Sequence, residues 1–127
     1  SELKRLPGPA APVYTVCFSP DGRLLAAGGL DKTVRVWDVA TSELRWSGTG
    51  HTDHIYRVVF NPQGTRLLSC GYAGHLHVWD AAEGKPLFSH RLPAVAYYAA
   101  YHPQADRVAA ACTDAAVHLV PLPAEAQ

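Results

Sequence analysis

Phe18-Ser-Pro20-Asp-Gly22 followed by Val34-Arg-Val-Trp37-Asp38, and Phe60-Asn-Pro62-Gln-Gly64 followed by Leu76-His-Val-Trp79-Asp80, are one pattern written twice. A third, eroded copy runs from Tyr101-His-Pro103 to Val117-His-Leu-Val120. Pro20, Pro62 and Pro103 are therefore matching positions, 42 and 41 residues apart, and in every copy 17 residues separate the proline from Trp37, Trp79 or Val120. A spacing kept through three copies makes the chain a repeat protein, in which each unit buries its apolar faces against its neighbours.

Working outward from the prolines, alternation and turn chemistry divide each copy into strands. The first copy reads Val13–Phe18, Leu24–Gly28 and Thr33–Trp37, with Pro20-Asp-Gly22 as the hairpin turn; the second reads Ile55–Phe60, Arg66–Cys70 and His75–Trp79. The third reads Val95–Tyr101, Arg107–Ala111 and Ala116–Val120, and Glu43–Ser47 and Lys85–His90 fit further, outer strands between copies. Both faces of the inner strands carry apolar or small residues, as in a sheet sandwiched between other sheets.

A repeat of about 40 to 45 residues with four strands and a Trp-Asp ending has the size of a propeller blade. With Gly50-His51, Trp37-Asp38, Trp79-Asp80 and the turn Asp31-Lys-Thr33, the chain resembles the WD-repeat family over nearly all its length. The resemblance implies an all-β fold of three four-stranded antiparallel blades: residues 13–47, 55–90 and 95–120, within one segment spanning 1–127. It also implies that blades are pinned by His, Ser or Thr, Asp and Trp bonded in series. That set is incomplete in each copy. The first has Asp31 and Trp37 but Ala27 at the hydroxyl position, the second has His51, Ser69 and Trp79 but Ala73 for the acid, and the third keeps only Asp114.

The ends are offset. Ser1-Glu-Leu-Lys-Arg-Leu6 resembles Ser42-Glu-Leu-Arg-Trp46, so residues 1–6 read as an outer strand completing another blade. The third copy stops after its third strand and runs out through Pro121-Leu-Pro123, where proline blocks further ladder bonds. Propellers typically have about 4 to 8 blades, so a three-blade arc needs covering at both faces. The expectation is self-assembly into a closed ring, six blades as a homodimer, with nine as a homotrimer compatible with the same offset; the alternative is a fragment of a longer propeller forming the sensor or regulatory part of a multidomain protein.

Composition excludes several functions. The chain carries 11 Lys and Arg against 11 Asp and Glu, no net charge to draw it to nucleic acid or an anionic membrane. No apolar run approaches the roughly 20 residues of a membrane span, and the first residues lack a signal peptide's apolar stretch; a soluble, cytoplasmic chain is the default expectation. Cys17, Cys70 and Cys112, odd in number and set among small or apolar neighbours, read as buried thiols and not as a disulfide framework. No catalytic residue is assigned: Ser19, Ser47, Ser69 and Ser89 lack a Gly-flanked elbow, Cys17 has no charged neighbour, and Gly28-Gly29 is not followed by the Lys-Ser/Thr of a phosphate loop.

His75-Leu-His77 places two imidazoles on one side of a strand and His118 aligns with His77, but no acid or thiol enters at ligand spacing, so neither metal nor cofactor is read. His54 and His90 read as solvated loop residues. Tyr14, Tyr56 and Tyr97 share one repeat position near the start of the innermost strand. The resemblance implies that this end faces a partner, and tyrosine offers rigid contact area with a polar tip. Arg57, Tyr98, Leu30, Tyr72 and Thr113 would join the same rim, giving a non-enzymatic scaffold for a protein or peptide ligand.

Overall fold

The computed structural model describes residues 4–127, and among them eleven strands build three antiparallel sheets. The first sheet is β1 (Val13–Phe18), β2 (Leu24–Gly29), β3 (Thr33–Asp38) and β4 (Leu44–Thr49) in that order. The second is β5 (Ile55–Phe60), β6 (Arg66–Gly71), β7 (His75–Asp80) and β8 (Pro86–Arg91). The third has three strands, β9 (Ala96–Tyr101), β10 (Arg107–Cys112) and β11 (Val117–Pro121). Two sheets thus have four strands, and the third has the three that the end of the third copy implies.

The turns explain why the copies share a geometry. Gly22 and Gly64 take φ of 74° and 76°, and each donates its N–H back to Ser19 or Asn61. Ala105 repeats the bend at φ 61° and bonds to His102. After each third strand, Val39, Ala81 and Leu122 donate to Arg23, Thr65 and Asp106. These recurring bonds hold the sheets to one pattern although their side chains diverge.

Stacking creates two seams. Ile55, Val58, Phe60, Leu67 and Trp79 of the second sheet pack with Ala26, Val34, Val36 and Trp46 of the first. The opposite face of the second sheet, Leu68, Cys70, Leu76 and Val78, packs with Ala96, Ala99, Val108, Ala110 and Cys112 of the third. The chain does not simply run out after β11. A 3-10 turn, Ala124–Ala126, folds back against β8, burying Leu122 and Ala126 in the second seam.

The outer faces of the arc are open. Val16 and Phe18 are 60% and 61% exposed, whereas Val58 and Phe60 at the same repeat positions are 0% and 6% exposed. Leu119 at the other end is 72% exposed, against 0% for Val78 and Val36. Trp37 is an exception, covered by the chain's own leading segment: its Nε1–H donates to the Pro7 carbonyl at 2.8 Å. Of the segment read as a spare strand, Ser1–Leu3 lies outside the described residues, and Lys4–Leu6 lies in no strand.

Candidate interaction surface

The three repeat tyrosines are bulge residues. In β1 the register steps from Val13↔Gly29 to Thr15↔Gly28, passing over Tyr14; in β5 it steps from Ile55↔Gly71 to Arg57↔Cys70, passing over Tyr56. In β9 Tyr98↔Ala111 gives way to Ala96↔Cys112, passing over Tyr97. A bulge leaves one residue out of the ladder and re-aims its side chain, so all three tyrosines are turned by the same device. Just beyond, Leu30, Tyr72 and Thr113 each donate a backbone N–H to the residue before the inner strand, Pro12, His54 and Val95. The rim predicted from sequence is thus tied to the strand starts.

The rim divides into parts. Tyr14 and Tyr56 rings lie 5.7 Å apart across the first seam, and Tyr72 lies 6.4 Å from Tyr56. His54 sits among them, 6.0 Å from Tyr14, 6.3 Å from Tyr56 and 5.9 Å from Tyr72. Sequence reading left His54 to solvent; only the fold shows that it joins the patch. Tyr14 and Tyr72 remain about half exposed. Arg57 belongs to a second group, its guanidinium 4.3 Å over the Tyr98 ring while its Nε–H donates to the Ala99 carbonyl at 3.2 Å. Tyr97 and Thr113 are exposed, and among the described residues no ring contact joins Tyr97 to either group.

The polar residues beneath the rim differ from blade to blade. In the second, Trp79 Nε1–H donates to Ser69 Oγ at 2.9 Å, and that hydroxyl is bonded to His51 Nε2 at 2.7 Å. Burial pushes His51 down to about 3, with His77 and His75 adding repulsion, so it stays neutral. Ala73 supplies no acid to His77, whose buried Nε2 has no hydrogen-bond partner among the described residues. In the first blade Asp31 forms an ion pair with Arg35 at 2.5 Å. In the third Asp114 bonds His118 Nε2 at 2.9 Å, the hydrogen bond from that imidazole being the main cause of a lowered carboxyl pKa.

Cys70 and Cys112 are buried free thiols, but Cys17 is only partly covered because its sheet lacks an outer neighbour. Burial drives Cys70 up to about 12, so it is protonated and unreactive. The expectation that no acid or thiol approaches the histidines is corrected at one place: Cys112, Asp114 and His118 bring ligand atoms within 4.8 Å of one another. A hairpin turn separates them, and strand spacing alone did not reveal the grouping.

The family profile "WD domain, G-beta repeat" matches residues 1–38 and 42–80, the segments that end in the two Trp-Asp pairs. The chain belongs to the WD-repeat family. Individual WD-repeat relatives align over stretches of 39 to 49 residues. The general transcriptional corepressor TUP1 of Saccharomyces cerevisiae is 39% identical over 49 residues, 37% of this chain and 7% of that protein. The probable serine/threonine-protein kinase PkwA of Thermomonospora curvata is 50% identical over 40 residues, 32% of this chain and 5% of its own length. WD repeat-containing protein SL1-17 of Schistosoma mansoni is 54% identical over 39 residues, 31% and 13% respectively. The WD-repeat matches thus span only 5% to 13% of these relatives, a small part of each.

Proposed function

We infer that the chain is a non-enzymatic, protein-binding WD-repeat scaffold that completes its ring by setting the open face of its third blade against the open first-blade face of a second copy. The observation that carries this is the contrast in exposure at equivalent positions. Val58 and Phe60 are covered by an adjoining blade where Val16 and Phe18 have none, and Leu119 lies open where Val78 is fully buried. Both open faces retain the apolar residue types that the internal seams bury, so each is chemically suited to the other. Two chains joined head to tail at both ends give six blades, and on this reading the leading segment of each chain would become the fourth strand of its partner's three-stranded sheet on assembly.

On such a ring, the Tyr14–His54–Tyr56–Tyr72 patch and the Arg57–Tyr98 pair offer rigid aromatic contact area to a protein or peptide ligand. Duplication of the patch by symmetry would favour a dimeric or repetitive ligand. A second reading places the missing blades in a longer polypeptide, and the small share of each relative that the chain spans favours it.

Deleting residues 1–6 tests strand exchange while keeping Pro7, the partner of Trp37. Light scattering should show a dimer for the intact chain and its loss on deletion. An intact chain that stays monomeric, or a dimer indifferent to the deletion, contradicts the exchange.

A further inference from the structure

One hairpin of the third blade carries a side-chain group that its counterparts lack. Cys112 closes β10, Asp114 sits in the following turn and His118 lies on β11; their ligand atoms all fall within 4.8 Å of one another. The same three positions hold Gly29, Asp31 and Arg35 in the first blade, and Gly71, Ala73 and His77 in the second.

The glycines there are enforced. A Cβ on Gly29 would lie 2.3 Å from the Pro12 carbonyl oxygen, and one on Gly71 would lie 2.0 Å from that of His54. Neither hairpin has room for a thiol. The third blade makes the same register step at this position, yet there the strand end carries a buried cysteine side chain, and the Cys112 N–H reaches the Ala116 carbonyl at 3.3 Å. Where the first blade closes its turn with the Asp31–Arg35 ion pair, the third keeps the acid, exchanges guanidinium for imidazole and adds sulfur. An arginine cannot ligate a metal; a histidine can.

We propose that Cys112, Asp114 and His118 form a three-ligand site for a zinc-type divalent cation, with a fourth position open to water or to a partner's side chain. Mixed sulfur, nitrogen and oxygen donors suit zinc, and three protein ligands leave one coordination position free. Tetrahedral ligands at about 2.0–2.3 Å from zinc stand about 3.2–3.7 Å from one another. The 2.9 Å between His118 Nε2 and Asp114 Oδ2 needs to open by a few tenths of an ångström. Asp114 is oriented for this by the Ala116 N–H, which holds Oδ1 at 3.2 Å and leaves Oδ2 directed at the imidazole. Cys112 is buried while Asp114 is exposed, which gives a covered sulfur and a solvent route for the ion. All three ligands come from a single hairpin, so loading needs no movement between blades. The ion would clip the turn as the ion pair does in the first blade, at the rim where Thr113 is exposed.

Titration of the chain with Co2+, followed by displacement with Zn2+, tests the site. The expected result is one equivalent of Co2+ with a thiolate-to-metal charge-transfer band. That band should vanish in Cys112→Ala, and His118→Ala and Asp114→Asn should each weaken zinc binding at least tenfold. Cys112→Gly, carrying the residue of the other two hairpins, guards against a folding defect and should lose the band too. His75→Ala with His77→Ala should leave the titration unchanged. Binding without a charge-transfer band, equal affinity in Cys112→Ala, or loss of binding through His75 and His77 would overturn the assignment.

Discussion

The two seams of this arc solve one packing problem with different chemistry. Between the first and second blades, the Trp46 and Trp79 rings lie 5.8 Å apart and the buried His51–Ser69–Trp79 chain satisfies its own polar groups. Glycine makes this possible: a Cβ on Gly48 would meet Trp79 at 2.6 Å, and one on Gly84 would meet Trp46 at 2.4 Å. Between the second and third blades, Leu92, Ala110 and Val120 stand at the positions of His51, Ser69 and Trp79, all buried and all apolar. Replacing every partner of a buried polar chain by apolar groups avoids the stranded donor that a single replacement leaves. Even the outer contact is rebuilt. Trp46 Nε1–H donates to the Ala81 carbonyl at 2.8 Å; at the second seam Phe88 has no donor, and Gln127 Nε2–H serves the matching Leu122 carbonyl at 2.8 Å. The recurring backbone bonds thus fix the geometry within each blade, while the side chains between blades must change as a set.

That contrast can be broken at its centre. Trp79→Ala should destabilise the fold by about 3–5 kcal/mol, far more than Val120→Ala at the same repeat position, as read by denaturant unfolding. Similar losses would mean that the seams carry equal weight.

Removing one member of the polar chain should be the next largest effect. Ser69→Ala strands both the Trp79 N–H and His51 Nε2, for a loss of about 2–3 kcal/mol. Adding His51→Leu to that variant should recover part of it, because one stranded group is gone and the site moves toward the Leu92–Ala110 chemistry of the other seam. A double-mutant cycle with purely additive losses would contradict the coupling.

Acid should weaken the first seam selectively. His51 is held at about 3 by burial, and His77 is lowered by burial and by His75, so neither binds a proton where the unfolded chain does. Stability from keeping them neutral is present above the ordinary histidine pKa of about 6.5 and is lost as pH falls below it. For His51 alone the loss between pH 6.5 and 4.5 is about 2–3 kcal/mol. His51→Leu should flatten the melting temperature's dependence on pH over that window; an unchanged slope would assign it elsewhere.

The smallest effect sharpens the likeness of the seams. Tyr101 stands where Phe18 and Phe60 stand, yet its buried hydroxyl has no hydrogen-bond partner among the described residues. Burial, its leading cause, raises its pKa well above the usual tyrosine range. Tyr101→Phe should raise stability by about 1 kcal/mol by removing an unsatisfied group. A loss of stability on thermal unfolding would show that the hydroxyl is satisfied in solution.

Strand order and turns were legible in the sequence because they rest on local chemistry: Pro-Asp-Gly22, Pro-Gln-Gly64 and strict alternation left little choice, and most strand bounds agree within a residue. The third sheet's missing outer strand was legible too, from where the third copy ends. What could not be read arises between elements far apart in sequence. Trp37 finds its partner in the Pro7 backbone, which no side-chain motif announces. His54 enters the aromatic patch only because the bulges at Tyr14 and Tyr56 turn those rings toward it. The return of Ala124–Ala126 onto β8 depends on Leu122 and Ala126 finding the second seam, a contact that the prolines before them concealed.

The central claim is that the open faces of the end blades belong against each other, and the solution mass of the chain tests it most directly. Multi-angle light scattering at low micromolar concentration should give a discrete species of twice the 13.7 kDa chain mass, and Val16→Glu or Leu119→Glu alone should dissociate it. A monodisperse monomer, or a dimer that survives both substitutions, would contradict closure through these faces.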